Sequence, residues 1–540
     1  MKRILTGLLL FLNASLLFAV DVTIDTSKDR TKISPYIYGV NQDIARDTNY
    51  TARRLGGNRM TGYNWENNAS NAGSDWQQSS DNYLADWANV TGDQDKAGAV
   101  LTTFHDKSLT LNAYSIITLP LAGYVSKDKN GPVGVKEIAP SDRWAKVIFT
   151  KGKELSLEPD KNDGFVYVDE EVNFLVNKYG KADTSTGVKG YSLDNEPDIW
   201  STTHPRLHQN KVGAQEYVQL SIDAASAVKK IDPSAEIYGP ASYGFNGFRT
   251  FQDAPDYIKP YYVYGWYLAY YLEKLNEASK AKGMRLLDAL DVHWYPEAST
   301  NGKRIVFTQA AGVAEETAEA RVQAPRSLWD PNYIETSWIC ASGHCPIRLI
   351  PKLNEMIDKY YPGTKLAFTE YEYGAGYHPS GGIAEADVLG IFGKYGVYMA
   401  NYWMAELGAY TLAGFRLYRN YDGNSGKYGD TNIKADTSDV AKITTYASIE
   451  GNDETNLHII IINKDLINTT MVRIVIKSDQ IYQTGKAYGF DKLSQAKITR
   501  RQDIDKIINN TFTLEMPALS AYHVILASSG VKKKIVKDNM

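Results

Sequence analysis

Short apolar runs alternate with longer stretches in which apolar positions recur every three or four residues, and the alternation continues from about residue 38 to residue 420. Short runs read as buried strands and the three-to-four spacing as amphipathic helices, so the pattern predicts parallel α/β units. Strands are predicted at 38–41, 51–55, 111–119, 187–193, 236–239, 287–293, 365–369 and 397–403. Eight strands in alternation with helices predict an α/β fold, a closed TIM-like (β/α)8 barrel. Helices are predicted over 214–231, stopped by Asp232 and Pro233, and over 261–282.

The pattern changes near Tyr421. A stretch rich in Gly, Asn, Asp and Lys is followed, to Ala527, by strand-length runs alone, such as HIIIINKD, MVRIVIKS and AYHVILAS. These predict a second, smaller all-β sandwich domain. The segment VDVTIDTSKDRTKISPYI (20–37) also alternates, yet it has no partner inside the barrel, so it is expected to join that module. The expected organisation is a signal peptide at 1–19, a catalytic barrel at 38–430, a sandwich from 20–37 plus 431–528, and a basic disordered tail at 529–540.

Composition narrows the function. A net charge of −4 over 540 residues offers no field for nucleic acid. Tyr (38) and Trp (10) together outnumber Phe (15), and rings that also carry a hydrogen-bonding group suit wet surfaces on which sugars stack. Lys2 and Arg3 precede an apolar run ending at Ala19, the form of a secretory signal and too short for a comfortable membrane span. A secreted protein, extracellular or periplasmic, is expected, free of the membrane once the signal is cleaved; Leu17 leaves an uncleaved anchor open. Cys340 and Cys345, in CASGHC, then read as a local disulfide. His344 between them offers zinc a third ligand where a structural site needs four.

Two segments carry the chemistry. In GYSLDNEPDIW (190–200) a strand pattern stops at Asn195, Glu196 and Pro197, and in KLAFTEYEYG (365–374) another runs out at Glu370. Carboxylates at the carboxyl ends of two barrel strands are placed as catalytic groups are, and a pair of them suffices for glycosidic bond cleavage. Arg53 or Arg54, at the end of the second strand, can hold Glu370 ionised; strand alternation lets only one face the lumen, and Arg53 is taken. His293 and Tyr295 end the sixth strand, where an imidazole or hydroxyl can orient the nucleophile. Trp65, Trp329, Trp338 and Trp403 each follow or end a strand-like run and are candidate stacking platforms, and Tyr373 is a candidate for the same cleft. Asp160 and Asp163, in EPDKNDGFVYVDE, offer oxygen ligands to a structural calcium, although the spacing is not that of an EF-hand and a solvated acidic turn is the plainer reading. There is no dinucleotide loop, P-loop or HExxH, so catalysis is expected to need no cofactor.

RRLGGNRMTGYNWENNASNAGS (53–74), YSLDNEPD, DVHWYPE, LWDPNYIETSW and FTEYEYGAG, in this order, resemble glycoside hydrolase family 44, endo-β-1,4-glucanases and xyloglucanases. The resemblance implies a barrel with a β-sandwich, retention at the anomeric carbon, Glu196 as acid/base and Glu370 as nucleophile. It also implies that Asn195 bonds the sugar 2-hydroxyl. Glu372, two residues on, would face the same side as Glu370 by alternation, and only the motif separates them. Negative Glu370 is expected to raise the Glu196 pKa. The expected partner is a β-glucan polysaccharide, cleaved internally by a monomer. The same residues also fit an endo-xylanase or mannanase, or a non-catalytic carbohydrate-binding barrel; paired carboxylates favour an enzyme over the last.

Overall fold

The computed structural model describes residues 20–308 and 310–532; the expected signal segment at 1–19 and the residues from 533 onward lie outside them. The chain opens with β1 (Val20–Asp25) and then enters the barrel with β2 (Gly39–Val40), β3 (Ala52–Leu55), β4 (Tyr114–Leu119), β5 (Gly190–Leu193), β6 (Glu236–Ser242), β7 (Ala289–Trp294), β8 (Lys365–Tyr371) and β9 (Met399–Tyr402). These eight strands, β2 to β9, close in the order β5-β6-β7-β8-β9-β2-β3-β4, every neighbouring pair parallel. Both faces are covered, so nearly every strand residue is buried, polar ones such as Arg54 and Asp291 included, and the strands do not read as apolar-polar alternation. Small side chains, Ala52, Ala289 and Ala367, pack inside the barrel with Ile116, Met399 and the large rings of Tyr114 and Tyr238.

The helices α1 (Ala214–Ile231), α2 (Phe245–Thr250), α3 (Ile258–Tyr264) and α4 (Tyr267–Lys282) follow β5 and β6. The single helix expected at 261–282 is thus two. Gly265 stands between them at φ +69, a conformation that suits glycine and ends α3. Short α5 (Trp338–Ala341) precedes β8, and α6 (Pro379–Lys394) and α7 (Ala409–Arg419) flank β9.

The C-terminal module is built from β10 (Thr431–Thr437), β11 (Ile443–Glu450), β12 (Asp453–Asn463), β13 (Thr470–Lys477), β14 (Gln480–Phe490), β15 (Thr499–Ile504), β16 (Thr511–Met516) and β17 (Ser520–Lys532). Strand β1 runs antiparallel to β10 and parallel to β13, so the first described segment completes this module and the sheet is not wholly antiparallel. The continuous order β15-β14-β17-β12-β11-β10-β1-β13-β16 folds over its own core of Val22, Ile24, Ile459, Ile474, Leu514 and Val524. Residues 529–532, expected in a disordered tail, continue β17; Gln480 pairs with Lys532 and supplies the backbone partner that local sequence does not reveal. Helix α6 is the joint between the domains. Gly390 lies against the Tyr446 ring, where an added Cβ would come within 2.2 Å, and Tyr446 donates to Asp387 at 2.6 Å.

Candidate active site

Beyond Leu193 the chain leaves β5 through two residues in the left-handed region, Asp194 (φ 63) and Glu196 (φ 45). Non-glycine residues are held there only by surrounding bonds. Thr61 Oγ1 donates to Asp194 at 2.6 Å and the Asn195 amide at 2.7 Å, while the Glu196 amide donates to Ala241 O at 3.0 Å. Pro197 then starts a 3-10 turn, and the Glu196 carboxyl is left at the barrel mouth.

Glu370 arrives from β8. Register shifts between Val292 and His293 and between Phe368 and Tyr371 place His293 directly opposite Glu370; irregularities of this kind re-aim side chains at barrel rims. One oxygen each from Glu196 and Glu370 and one ring nitrogen of His293 all lie within 4.8 Å of one another. His293 Nδ1 is 3.0 Å from Glu196 Oε1 and 3.5 Å from Glu370 Oε2. Tyr295 donates its hydroxyl to Glu370 Oε2 at 2.8 Å. Arg54 Nη1 donates to Glu370 Oε1 at 2.8 Å, and its Nη2 donates to Asn195 Oδ1 at 2.9 Å.

The arginine expectation is therefore corrected. Arg54 shares the inward face of β3 with Ala52, whereas Arg53 points outward, donating to Asp43 at 2.8 Å and Phe104 O at 2.7 Å. Two consecutive arginines leave the parity of the strand open, and the lumen-filling Ala52 decides it. Glu372 lies just past the end of β8, fully buried, and its two oxygens lack the Arg54 and Tyr295 hydrogen bonds that hold Glu370.

A groove crosses the barrel mouth. Gly57, Asn58, Asp75 and Trp403 are common to two hollows of about 490 and 460 Å3. Trp76, Tyr83 and Trp87 line the first; Asn195, Glu196, Glu370, Tyr295, Phe245 and Trp338 line the second. Gly57 sits at φ +84 with its missing Cβ 2.7 Å from the Trp403 ring, so glycine lets that indole lie against the backbone. Of the predicted platforms, Trp338 and Trp403 face the groove. Trp65 is fully buried against Phe174, and Trp329 stacks on Tyr395 beside a different hollow. Tyr373 is also buried and lines neither half of the groove. These three are packing residues, which large rings after strands commonly are. Trp76, Tyr83 and Phe307, with 62%, 50% and 58% of their surface open, were missed. The first two lie in a turn-rich stretch, SDWQQSSDNY, and the Tyr83 ring is covered on one side by the Arg59 guanidinium at 4.1 Å.

Burial is the main cause that pushes the Glu196 carboxyl up to about 7; Asp75 adds to the rise and Arg54 opposes it. The expected repulsion from Glu370 is not among the causes. Burial also holds His293 down to about 3, so its ring is neutral. The cysteines form a disulfide, Cys340–Cys345, and His344 lies 5.6 Å from the Phe245 ring, which leaves no zinc-type ligand set there. Asp160 and Asp163 accept backbone amides of their own turn, at 3.0 and 2.8 Å. Glu66, buried with one oxygen unpartnered, is pushed up to about 8 by burial first and then by Asp163, Glu170 and Asp160. Glu66 thus stands in the field of this acidic turn; among the described residues the three acidic or imidazole side chains whose ligand atoms come within 4.8 Å of one another are Glu196, His293 and Glu370, and the carboxylates of the turn do not line the groove.

Comparison with known proteins agrees with this geometry. The sequence model of glycoside hydrolase family 44 matches residues 69–298. Endoglucanase A of Paenibacillus lautus is 53% identical over 515 residues, 95% of this chain and 73% of the relative. The solved structure of a Paenibacillus polymyxa family 44 xyloglucanase with xyloglucan is 50% identical with a TM-score of 0.91, covering 94% of this chain and all of the other. A family 44 endoglucanase from Clostridium thermocellum is 54% identical, TM-score 0.91, covering 94% and 99%. A closed barrel with two carboxyls converging at its mouth, and identity above one half across nearly the whole chain, lead to one assignment: this protein belongs to glycoside hydrolase family 44.

Proposed function

We propose that this chain is a retaining endo-β-1,4-glucanase that cleaves internal glucosidic bonds of cellulose-like and xyloglucan-like polysaccharides. One observation carries the reading: a Glu196 oxygen and a Glu370 oxygen within 4.8 Å of each other in the floor of an open, aromatic-walled groove. Inverting enzymes hold their carboxyls about 6.5 Å or more apart to admit water, and retaining enzymes hold them closer.

Glu370, its oxygens held by Arg54 and Tyr295, attacks the anomeric carbon as Glu196 gives its proton to the departing glycosidic oxygen. The C–O bond to the leaving chain breaks and a glycosyl ester of Glu370 forms. Glu196, now ionised, takes a proton from water; the resulting hydroxide attacks the same carbon and releases Glu370. Asn195 has its Oδ1 engaged by Arg54 and the Gly57 amide, and its amide nitrogen donates to Asn58 Oδ1 at 3.3 Å within the groove lining; its second N–H is a donor suited to the sugar 2-hydroxyl.

His293 supports the acid. Thr369 Oγ1 donates to Asp291 at 2.8 Å, so at 3.2 Å it accepts from His293 Nε2–H. A neutral ring then presents the Nδ1 lone pair to the proton on Glu196 Oε1. Any cation taken up near Glu66 and Asp163 is structural and takes no part in these steps. Export, which brings the enzyme to polymers too large to enter a cell, is part of the reading and rests on the N-terminal segment.

The test is release of reducing ends from carboxymethylcellulose, xyloglucan, xylan and mannan. Rapid viscosity loss on the first two supports the reading; cleavage of mannan or xylan alone overturns it.

A further inference from the structure

Helix α3 buries none of its residues. Tyr262 has 85% of its surface open, Val263 74% and Ile258 69%, and Tyr262 and Ile258, with Tyr257 and Tyr261, border a shallow hollow. Contiguous exposed apolar surface of this kind marks a binding site more often than an accident. The patch is joined to the groove. Arg249 donates to the Tyr261 hydroxyl at 3.2 Å and its guanidinium lies 5.9 Å from the Phe245 ring. Phe245 lines the groove and meets Trp338 edge-on at 6.0 Å.

We propose that this tyrosine ledge, Tyr261 and Tyr262 with Ile258, is a distal subsite that grips the polysaccharide strand leaving the groove past Phe245 and Trp338. The inference rests on the glycanase reading. The chemistry of the ledge favours a sugar. Its rings carry hydroxyls, so each presents an apolar face for sugar C–H groups and a polar edge for hydroxyls. Thr250 and Asp253 add hydrogen-bonding groups to the rim of the hollow. An enzyme that cuts inside long chains has strand extending beyond its groove, and Arg249 connects the ledge at Tyr261 to the groove wall at Phe245.

The experiment compares the native enzyme with the double variant Tyr262→Ala/Ile258→Ala. Both positions are exposed, so the fold is kept. KM is measured on xyloglucan polymer and on a short aryl cellobioside. In parallel, inactive Glu370→Gln protein with and without the two changes is run through gels containing xyloglucan. The expected result is a rise of about fivefold in polymer KM, an unchanged constant on the aryl cellobioside, and weaker gel retardation by a similar factor. Equal polymer KM and equal retardation overturn the ledge. So does a variant that changes only sedimentation, which would mean that a second copy of the chain covers the patch. Should the native enzyme cut no β-glucan, the glycanase reading fails by that result, and retardation alone then decides whether the ledge binds glycan.

Discussion

Arg54 donates to the Glu370 carboxylate at 2.8 Å from the inner face of a strand whose preceding residue, Arg53, donates outward to Asp43 at the same distance. The contrast predicts opposite phenotypes. Arg54→Lys loses the planar fork that holds both Glu370 and Asn195, and kcat/KM is expected to fall about 100-fold or more, the scale of losing one preorganised charge contact at a reacting group. Arg53→Ala is expected to leave kcat near native and to cost about 2 kcal/mol of stability through the lost Asp43 and Phe104 contacts. Steady-state kinetics and thermal melts on both variants check this.

The acid/base assignment sets a pH limb. Glu196 must carry its proton when the glycosidic oxygen leaves, and its carboxyl is pushed up to about 7. Thus kcat/KM is expected to decline as pH rises through about 7. His293→Ala removes the lone pair that accepts the Glu196 proton and should move this limb to lower pH. A limb unmoved in that variant would remove His293 from the mechanism.

Other buried carboxyls set the pH dependence of stability. Burial pushes Glu171, Glu372 and Glu385 each up to about 8, against about 4.3 in an unfolded chain. Between those values the native state binds more protons than the unfolded one, so stability falls as pH rises through that window and is flat below it. The loss from pH 5 to pH 8 is expected to be on the order of a few kcal/mol for each of these carboxyls. Glu385→Gln should flatten the curve in melts run across this range.

The tryptophans divide by position. Trp338→Ala and Trp403→Ala are expected to raise KM for polymeric substrate about tenfold with little change in Tm, since both rings face the groove. Trp65→Ala should cost about 3 to 5 kcal/mol, the scale for truncating a buried aromatic ring, because that indole is fully buried against Phe174.

Much of the architecture was readable because parallel barrel strands announce themselves as apolar runs at regular intervals; each of the eight expected strands overlaps one observed, from Gly39–Val40 to Met399–Tyr402. Glu196 and Glu370 were readable because each ends such a run inside a motif. What local sequence hides is orientation. Nothing in the pair Arg53–Arg54 says which side faces inward. A tryptophan after a strand can line a groove, as Trp403 does, or fill a core, as Trp65 does, and only long-range packing decides. Glu370 and Glu372 would share one alternation, but β8 ends at Tyr371, so the rule no longer places Glu372. The joining of β1 to β10 and β13 could be inferred only from its lack of a partner in the barrel.

The most direct test of the account is to trap the glycosyl ester. The enzyme is incubated with an activated 2-deoxy-2-fluoro cellobioside, digested, and the labelled peptide is sequenced by mass spectrometry. The account predicts one added disaccharide, on Glu370. A label on Glu372, or a protein that turns substrate over with inverted product and takes no label, would contradict it.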